Sequence, residues 1–241
     1  MTNKANRNIF SKQNKNEKLS VIIAAAGPSK GMKVKKLKSI FSLESGKTIV
    51  ERQIDLIHYH YPKADIVIVG GFDYDKLREK TRKCQVRLVE NNRYAKTNVM
   101  ESVKIGLDAC LESPILIMHG DLVFGTHLLA NITTKTSSVL VDENNPRLKK
   151  TEVGVNQHDG YITSMVYGIK EKWGQMAYLR DKEVGMLRDI VVSQDVSKWF
   201  LHDCINHIID EGGKIAANCQ HSTSLVDVDS YHDIRKIGAK I

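Results

Sequence analysis

Long apolar runs are missing from this chain. No stretch approaches the roughly 20 residues needed to cross a bilayer, which argues against a transmembrane helix. Proline is scarce, at four in 241 residues, and no Gly/Ser-rich or Pro-rich tract divides the chain. Without a linker and without internal repeats, one compact domain is the simplest layout. The four cysteines, Cys84, Cys110, Cys204 and Cys219, include no C-x-x-C pair. Thiols scattered in this way fit a reducing compartment better than a disulfide framework, so a cytoplasmic protein is expected. His202-x-Cys204 and Cys219-x-His221 offer zinc-ligating residue types. Their one-residue spacers do not match structural zinc sites, and i and i+2 on a helix face different ways. Residues 1–19, MTNKANRNIFSKQNKNEKL, lack the apolar centre of a secretory signal. They read as a flexible basic arm, with 20–241 as a single domain.

Positive charge is what the chain has in excess. Thirty-six Lys and Arg against 28 Asp and Glu give a net charge of +8, which points to an anionic partner. Much of the excess lies in the arm and in Lys30, Lys33, Lys35, Lys36 and Lys38. Nucleic acid would answer to such charge, and so would a nucleoside triphosphate.

Apolar periodicity orders the chain. VIIAAA (21–26), ADIVIVGG (64–71), QVRLVEN (85–91) and ILIMHGD (115–121) read as buried strands, separated by helices at 48–60, 74–82 and 98–112. Strands buried on both faces and alternating with helices predict a parallel sheet with right-handed crossovers. After SSVLVD (137–142) the rhythm changes. TEVGVN and YITSMVYGI read as antiparallel strands, followed by helices near 181–190 and 196–211, the strands KIAANC and TSLVDVD, and a last helix from about 230.

The turn after the first strand, AAGPSKGMKVKKLKSI, admits three readings. Gly27-Pro28-Ser29-Lys30-Gly31 spells the G-x-S-x-G of a hydrolase elbow, but such an elbow needs an earlier strand to carry its oxyanion loop, and only the basic arm precedes it. Ser45-Gly46-Lys47-Thr48 resembles the end of a Walker A loop, yet Phe41 stands where its first glycine belongs; Thr48 is better read as a helix N-cap. The third reading is a phosphate cradle. Small residues at a strand's carboxyl end, Ala25, Ala26 and Gly27, let a nucleotide approach the backbone, and lysines supply charge.

Here the segment resembles the nucleotidyltransferase signature of Ala-Ala-Gly, a Gly/Ser loop, Arg-Met and a later Pro-Lys-x-Leu. Met32 falls in register, Lys38 falls on the signature lysine and Ile40 on its leucine. Three positions depart from it: Ser29 replaces a glycine, Gly31 stands where an arginine is usual, and Leu37 replaces the proline. VENNRYAKTNVMESVKIGLD, ILIMHGDLVF and SLVDVDSYHDI are similar to later family segments in the same order, covering most of 20–240. The nearest kinds are the cytidylyl- and sugar-phosphate nucleotidyltransferases.

That resemblance implies an α/β, Rossmann-like, mostly parallel sheet of the glycosyltransferase A-like type, with antiparallel additions in the second half. It implies a Mg²⁺-dependent enzyme joining a nucleoside monophosphate, from CTP or UTP, to a small phosphorylated metabolite. Lys38 takes the α-phosphate. Residues 25–33, that is Ala25, Ala26, Gly27, Pro28, Ser29, Lys30, Gly31, Met32 and Lys33, form the nucleotide loop, with Asn98 and Ser102 beside the base or ribose. Asp121 and one of Asp227 and Asp229 hold the metal. Asn98-x-x-Glu101 is also a complete capping box, a structural role for both residues. Glu152, Tyr167, Trp173 and Tyr178 are expected around the acceptor, whereas Trp199 and Phe200 read as core positions. Two rival readings remain: a non-catalytic nucleotide-binding relative, and, ranked lower, a nucleic-acid-binding basic module.

Overall fold

A computed structural model describes residues 18–28, 36–111, 113–130, 132, 135–142, 150–219, 225–229 and 233. Four strands open the fold: β1 (Ser20–Ala25), β2 (Asp65–Gly70), β3 (Arg87–Glu90) and β4 (Ile115–His119). They pair in parallel in the order β3-β2-β1-β4, so all their carboxyl ends reach one edge. The alternation along β1 shows why. Val21 and Ile23 enter one core with α1 (Ile49–His60) and α2 (Tyr74–Thr81), while Ile22 enters another with α3 (Val99–Ala109). Burial on both faces demands apolar residues at every position of the strand. Leu19 is already fully buried, so the packed fold begins one residue before the expected boundary of the arm.

Helix α1 starts where its cap chemistry places it. Thr48 accepts from the Glu51 backbone N–H at 3.3 Å, and Glu51 accepts from the Thr48 backbone N–H at 2.8 Å. This reciprocal box satisfies two of the helix's orphan donors. The box expected at Asn98 does not form. Asn98 instead donates its side-chain amide to the Lys198 carbonyl at 2.5 Å, and Glu101 pairs with Arg93 at 3.4 Å. A partner distant in sequence has outcompeted the local one.

The second half contains β5 (Leu122–Phe124), α4 (Thr126–Ala130), β6 (Ser138–Asp142), β7 (Val153–His158), β8 (Tyr161–Tyr167), β9 (Glu171–Leu179), α5 (Asp181–Ser193), α6 (Leu201–Asp210), β10 (Ala216–Cys219) and β11 (Leu225–Asp227). The main sheet runs β3-β2-β1-β4-β9-β6-β10-β8-β7. It is mixed rather than mostly parallel. The reason is β9, which runs antiparallel to both β4 and β6 and joins the two halves. The family resemblance placed Trp173 and Tyr178 of this strand around the acceptor. Burial decides the matter: Trp173, Met176, Ala177, Tyr178 and Leu179 are all buried. The expected helix at 196–211 is split, with a 3-10 turn at Val196–Lys198 and α6 beginning only at Leu201. Among the described residues no helix is long and apolar enough to cross a membrane. The final helix expected from 230 lies almost wholly outside the described residues.

Candidate active site

The carboxyl ends of β1 and β4, the turn after β1 and the amino end of α3 enclose a cleft of about 340 Å³. Ala24, Ala25, Ala26, Gly27 and Pro28 form one wall, and Asn98, Val99 and Ser102 another. Small residues are required here. Gly120 donates its N–H to the Ala24 carbonyl at 2.9 Å, and a Cβ at Gly120 would lie 2.8 Å from the Cβ of Ala25. The first turn of α3 borders the same space, although its Met100 and Glu101 N–H groups are already donated to the Trp199 and Asn98 carbonyls, each at 3.3 Å.

Lys38 opens a 3-10 turn (Lys38–Ile40) and reaches the cleft floor. Its Nζ donates to Asp121 Oδ2 at 3.1 Å and to Asp229 Oδ1 at 2.9 Å. The two acids come from distant parts of the chain. Asp121 follows β4, and Asp229 follows β11, whose antiparallel pairing with β5 sets Asp227 opposite Leu122. A further bond, from the Val228 N–H to the Asp121 carbonyl at 3.0 Å, ties the segments together. Burial opposes the charge on Lys38, but Asp121, then Asp229 and Asp227, outweigh it and raise its pKa well above that of an ordinary lysine. The ammonium is therefore permanent.

Asp227 is in a different state. Burial and the neighbouring Asp121 push its carboxyl up to about 6. Gln175 donates to its Oδ2 at 2.6 Å, while Oδ1 is buried with no hydrogen-bond partner among the described residues. Of the two candidates, Asp229 is thus the one that shares Lys38 with Asp121, and Asp227 stands behind them. His119 lines the cleft with Nε2 buried and without a hydrogen-bond partner among the described residues. Burial, with help from Lys38 and against Asp121, lowers its pKa, so the ring is held neutral.

These donors fit a divalent cation in kind. Three carboxylates face one ammonium, which leaves net negative charge, and an orphaned carboxylate oxygen remains. Among the described residues no three His, Cys, Asp or Glu groups are already gathered as a metal cage. Magnesium takes one or two carboxylates and completes its shell with phosphate and water.

The structure brings Ala25, Ala26, Gly27, Pro28, Lys38, Asn98, Ser102, Asp121 and Asp229 to one cleft. Ser29, Lys30, Gly31, Met32 and Lys33 lie outside the described residues. The acceptor group is dispersed. Tyr178 is fully buried, in contact with the core on the α1 side of the sheet, and Trp173 is 5% exposed with its indole N–H donated to the Met176 carbonyl at 3.2 Å. Neither presents a surface to a substrate, because β9 is a central strand. Glu152 is paired with Lys172 at 2.6 Å. Tyr167 alone of the four is well exposed, its ring edge-on to His202 with centroids 5.2 Å apart. Phe200, expected in the core, instead lines the cleft and stacks on His202 at 5.7 Å. Sequence reading also passed over Asn91, whose buried amide donates to Ser102 Oγ at 3.1 Å behind the cleft wall. Its only signal was a polar residue directly after a strand.

Comparison with known proteins gives the frame for this geometry. No curated protein matches the chain. Among solved structures, a CTP:phosphocholine cytidylyltransferase from Streptococcus pneumoniae is 18% identical with a TM-score of 0.74, covering 92% of this chain and 98% of that one. An inositol-1-phosphate CTP transferase from T. maritima is 14% identical with a TM-score of 0.74 (92% and 95% covered). A nucleoside-diphosphate-sugar pyrophosphorylase from Vibrio cholerae RC9 is 14% identical with a TM-score of 0.71 (92% and 100%). At such identities the likeness establishes the α/β nucleotidyltransferase fold. The family model of the MobA-like NTP transferase domain matches residues 21–169, more than half of the chain and the part that carries Lys38, Asn98 and Asp121. The chain therefore belongs to the MobA-like NTP transferase family of nucleotidyltransferases.

Proposed function

We propose that this protein transfers a nucleoside monophosphate from CTP or UTP to a small phosphorylated metabolite, in a Mg²⁺-dependent reaction that releases pyrophosphate. A sugar phosphate, an aminoalcohol phosphate and a phosphonate are the acceptor classes. The observation that carries the reading is the Lys38 ammonium held between Asp121 and Asp229 at the carboxyl edge of the sheet. Two of the structures similar to this chain are named for CTP and for a phosphorylated acceptor, which ranks CTP first.

An oxygen of the acceptor's phosphate attacks the α-phosphorus. The bond from that phosphorus to the bridging oxygen of the β-phosphate breaks, and its electron pair leaves with pyrophosphate. The nucleophile is already an anion, so no general base is required; the barrier is repulsion between two anions and their alignment. Lys38 turns from its carboxylates to the α-phosphate oxygens, where its charge meets the charge that builds in the transition state. Lys30 and Lys33 are assigned to the β- and γ-phosphates. Magnesium held by Asp121 and Asp229 would neutralise phosphate charge and orient the triphosphate. Asn98 and Ser102 border the nucleoside, and Tyr167 with Phe200 forms the acceptor flank.

A pyrophosphate-release screen tests this, with each nucleoside triphosphate and Mg²⁺ against a panel of phosphorylated metabolites. One pyrimidine triphosphate with one acceptor should release pyrophosphate, and Lys38→Ala and Asp121→Ala should each lower kcat/KM by about 10²–10³-fold. Triphosphate binding without release across the panel would favour the non-catalytic relative. Turnover unaffected in Lys38→Ala would remove that residue from the mechanism.

A further inference from the structure

Strand β9 contains a defect placed at the active site. Between the pairs Val141–Trp173 and Val139–Ala177, β6 supplies one residue and β9 three, so β9 carries a bulge. Within it Gln175 has φ +55°, in the left-handed region. A long non-glycine side chain there is strained, and such strain persists where the surroundings impose it, most often at functional sites. The conformation is not explained by a turn, since Gln175 lies inside a nine-residue strand. What it achieves is direction. The Gln175 amide reaches Asp227 Oδ2 at 2.6 Å, and its side chain also meets that of His119. His119 lines the cleft, and Asp227 lies behind it, close enough to Asp121 to feel its charge.

We propose that Gln175 is a positioning residue of the reaction: its bulged backbone holds Asp227 in one orientation behind the cation site, so that Asp121 and Asp229 alone share Lys38 and are left to receive the cation. This rests on the proposed function only in that the site receives a divalent cation with a triphosphate. Asp227 is otherwise free to turn, because its second oxygen has no partner among the described residues. If it turned toward Lys38, three carboxylates would compete for one ammonium. The bulge also answers why the residue is not glycine, which would relax the backbone at φ +55° but carries no amide.

That contrast supplies the test. Gln175→Gly and Gln175→Asn both tolerate the left-handed conformation and both fail to reach Asp227. Mn²⁺ binding is measured by electron paramagnetic resonance with CTP or, in a parallel arm, UTP, and without acceptor, so no turnover is needed. Thermal midpoints are read alongside. Both variants should bind Mn²⁺ about 10–100-fold more weakly, the effect typical of losing a group that supports a metal site from behind, with midpoints equal to or above wild type. Wild-type Mn²⁺ affinity in both variants overturns the proposal, as does a lowered midpoint with unchanged affinity, which would mark Gln175 as packing only. Absence of Mn²⁺ binding by the wild type also overturns it. Absence of pyrophosphate release in the separate activity screen would instead strike the proposed function and leave this readout intact.

Discussion

The parallel half of the sheet has an acid at each end, and the two are treated in opposite ways. At the amino edge, Asp65 begins β2 and is saturated: Arg87 Nε donates at 3.0 Å, Ser20 Oγ at 3.2 Å and the Leu111 N–H at 3.0 Å. Burial is outweighed by these donors, and the carboxyl is held below its usual range. At the carboxyl edge, Asp121 and Asp229 share one ammonium, and Asp227 behind them is pushed up to about 6 with an oxygen left over. The same side chain is a rivet in one place and an unfinished site in the other. The difference lies in the supply of donors. Asp65 meets partners from its own sheet edge, whereas the carboxyl-edge acids project into loops, where ligands of open α/β sheets bind.

The largest test of this contrast exchanges activity for stability. Lys38→Met should lower kcat/KM by about 10²–10³-fold, or about 2.7–4 kcal/mol of transition-state stabilisation, while the folded protein persists. Arg87→Met should leave kcat/KM per folded molecule unchanged. Kinetics and thermal melts on both variants decide it; a large kinetic loss in Arg87→Met would erase the distinction between the two edges.

Much of this arrangement was legible in the chain because local signals were strong. The apolar runs of β1, β2 and β4 are buried on both faces, and Thr48 caps α1 as read, with Glu51 completing the box. Lys38, Asp121 and the pair Asp227 and Asp229 were nameable from motif order, with the choice within the pair left open. What could not be read had non-local causes. Resemblance put Trp173 and Tyr178 at the acceptor, but β9 lies inside the sheet, between β4 and β6, and buries both. Asn98 gave its side chain to Lys198, exactly 100 positions away, rather than to its own helix. Phe200 reached the cleft because the helix starts one residue after it. Gln175 had no signal at all, since a bulge is a property of two strands in register.

A second test uses the pH dependence of stability at the carboxyl edge. Because the folded pKa of Asp227 is raised to about 6 from its ordinary 3.8, the native state holds a proton that the unfolded state has lost over that interval. Stability should therefore fall as pH rises from about 4 to about 6, with a penalty on the order of 3 kcal/mol above that range. Asp227→Asn should abolish this slope and be more stable than wild type at pH 7, at the expense of activity. Denaturant melts across pH 4–7 measure it. A slope that survives in the variant would assign the proton elsewhere.

The smallest effect is expected at the amino edge, with the opposite sign. Asp65 has a depressed pKa, so its contribution is present above the ordinary carboxylate range and is lost as pH falls through the folded value. Arg87 is 39% exposed on its side chain, so solvent screens part of the pair. Arg87→Met should therefore cost only about 1–2 kcal/mol at pH 7, the Ser20 and Leu111 donors continuing to serve Asp65. The gap between wild type and this variant should begin to narrow below about pH 4 and close as pH falls through the lower folded value of Asp65, where protonation removes what Arg87 was stabilising. Denaturant melts at pH 7 and pH 3 read the gap directly. A gap that stays constant across that interval would mean that Arg87 acts through packing of its stem and its bond to the Ala109 carbonyl, and that charge on Asp65 plays no part.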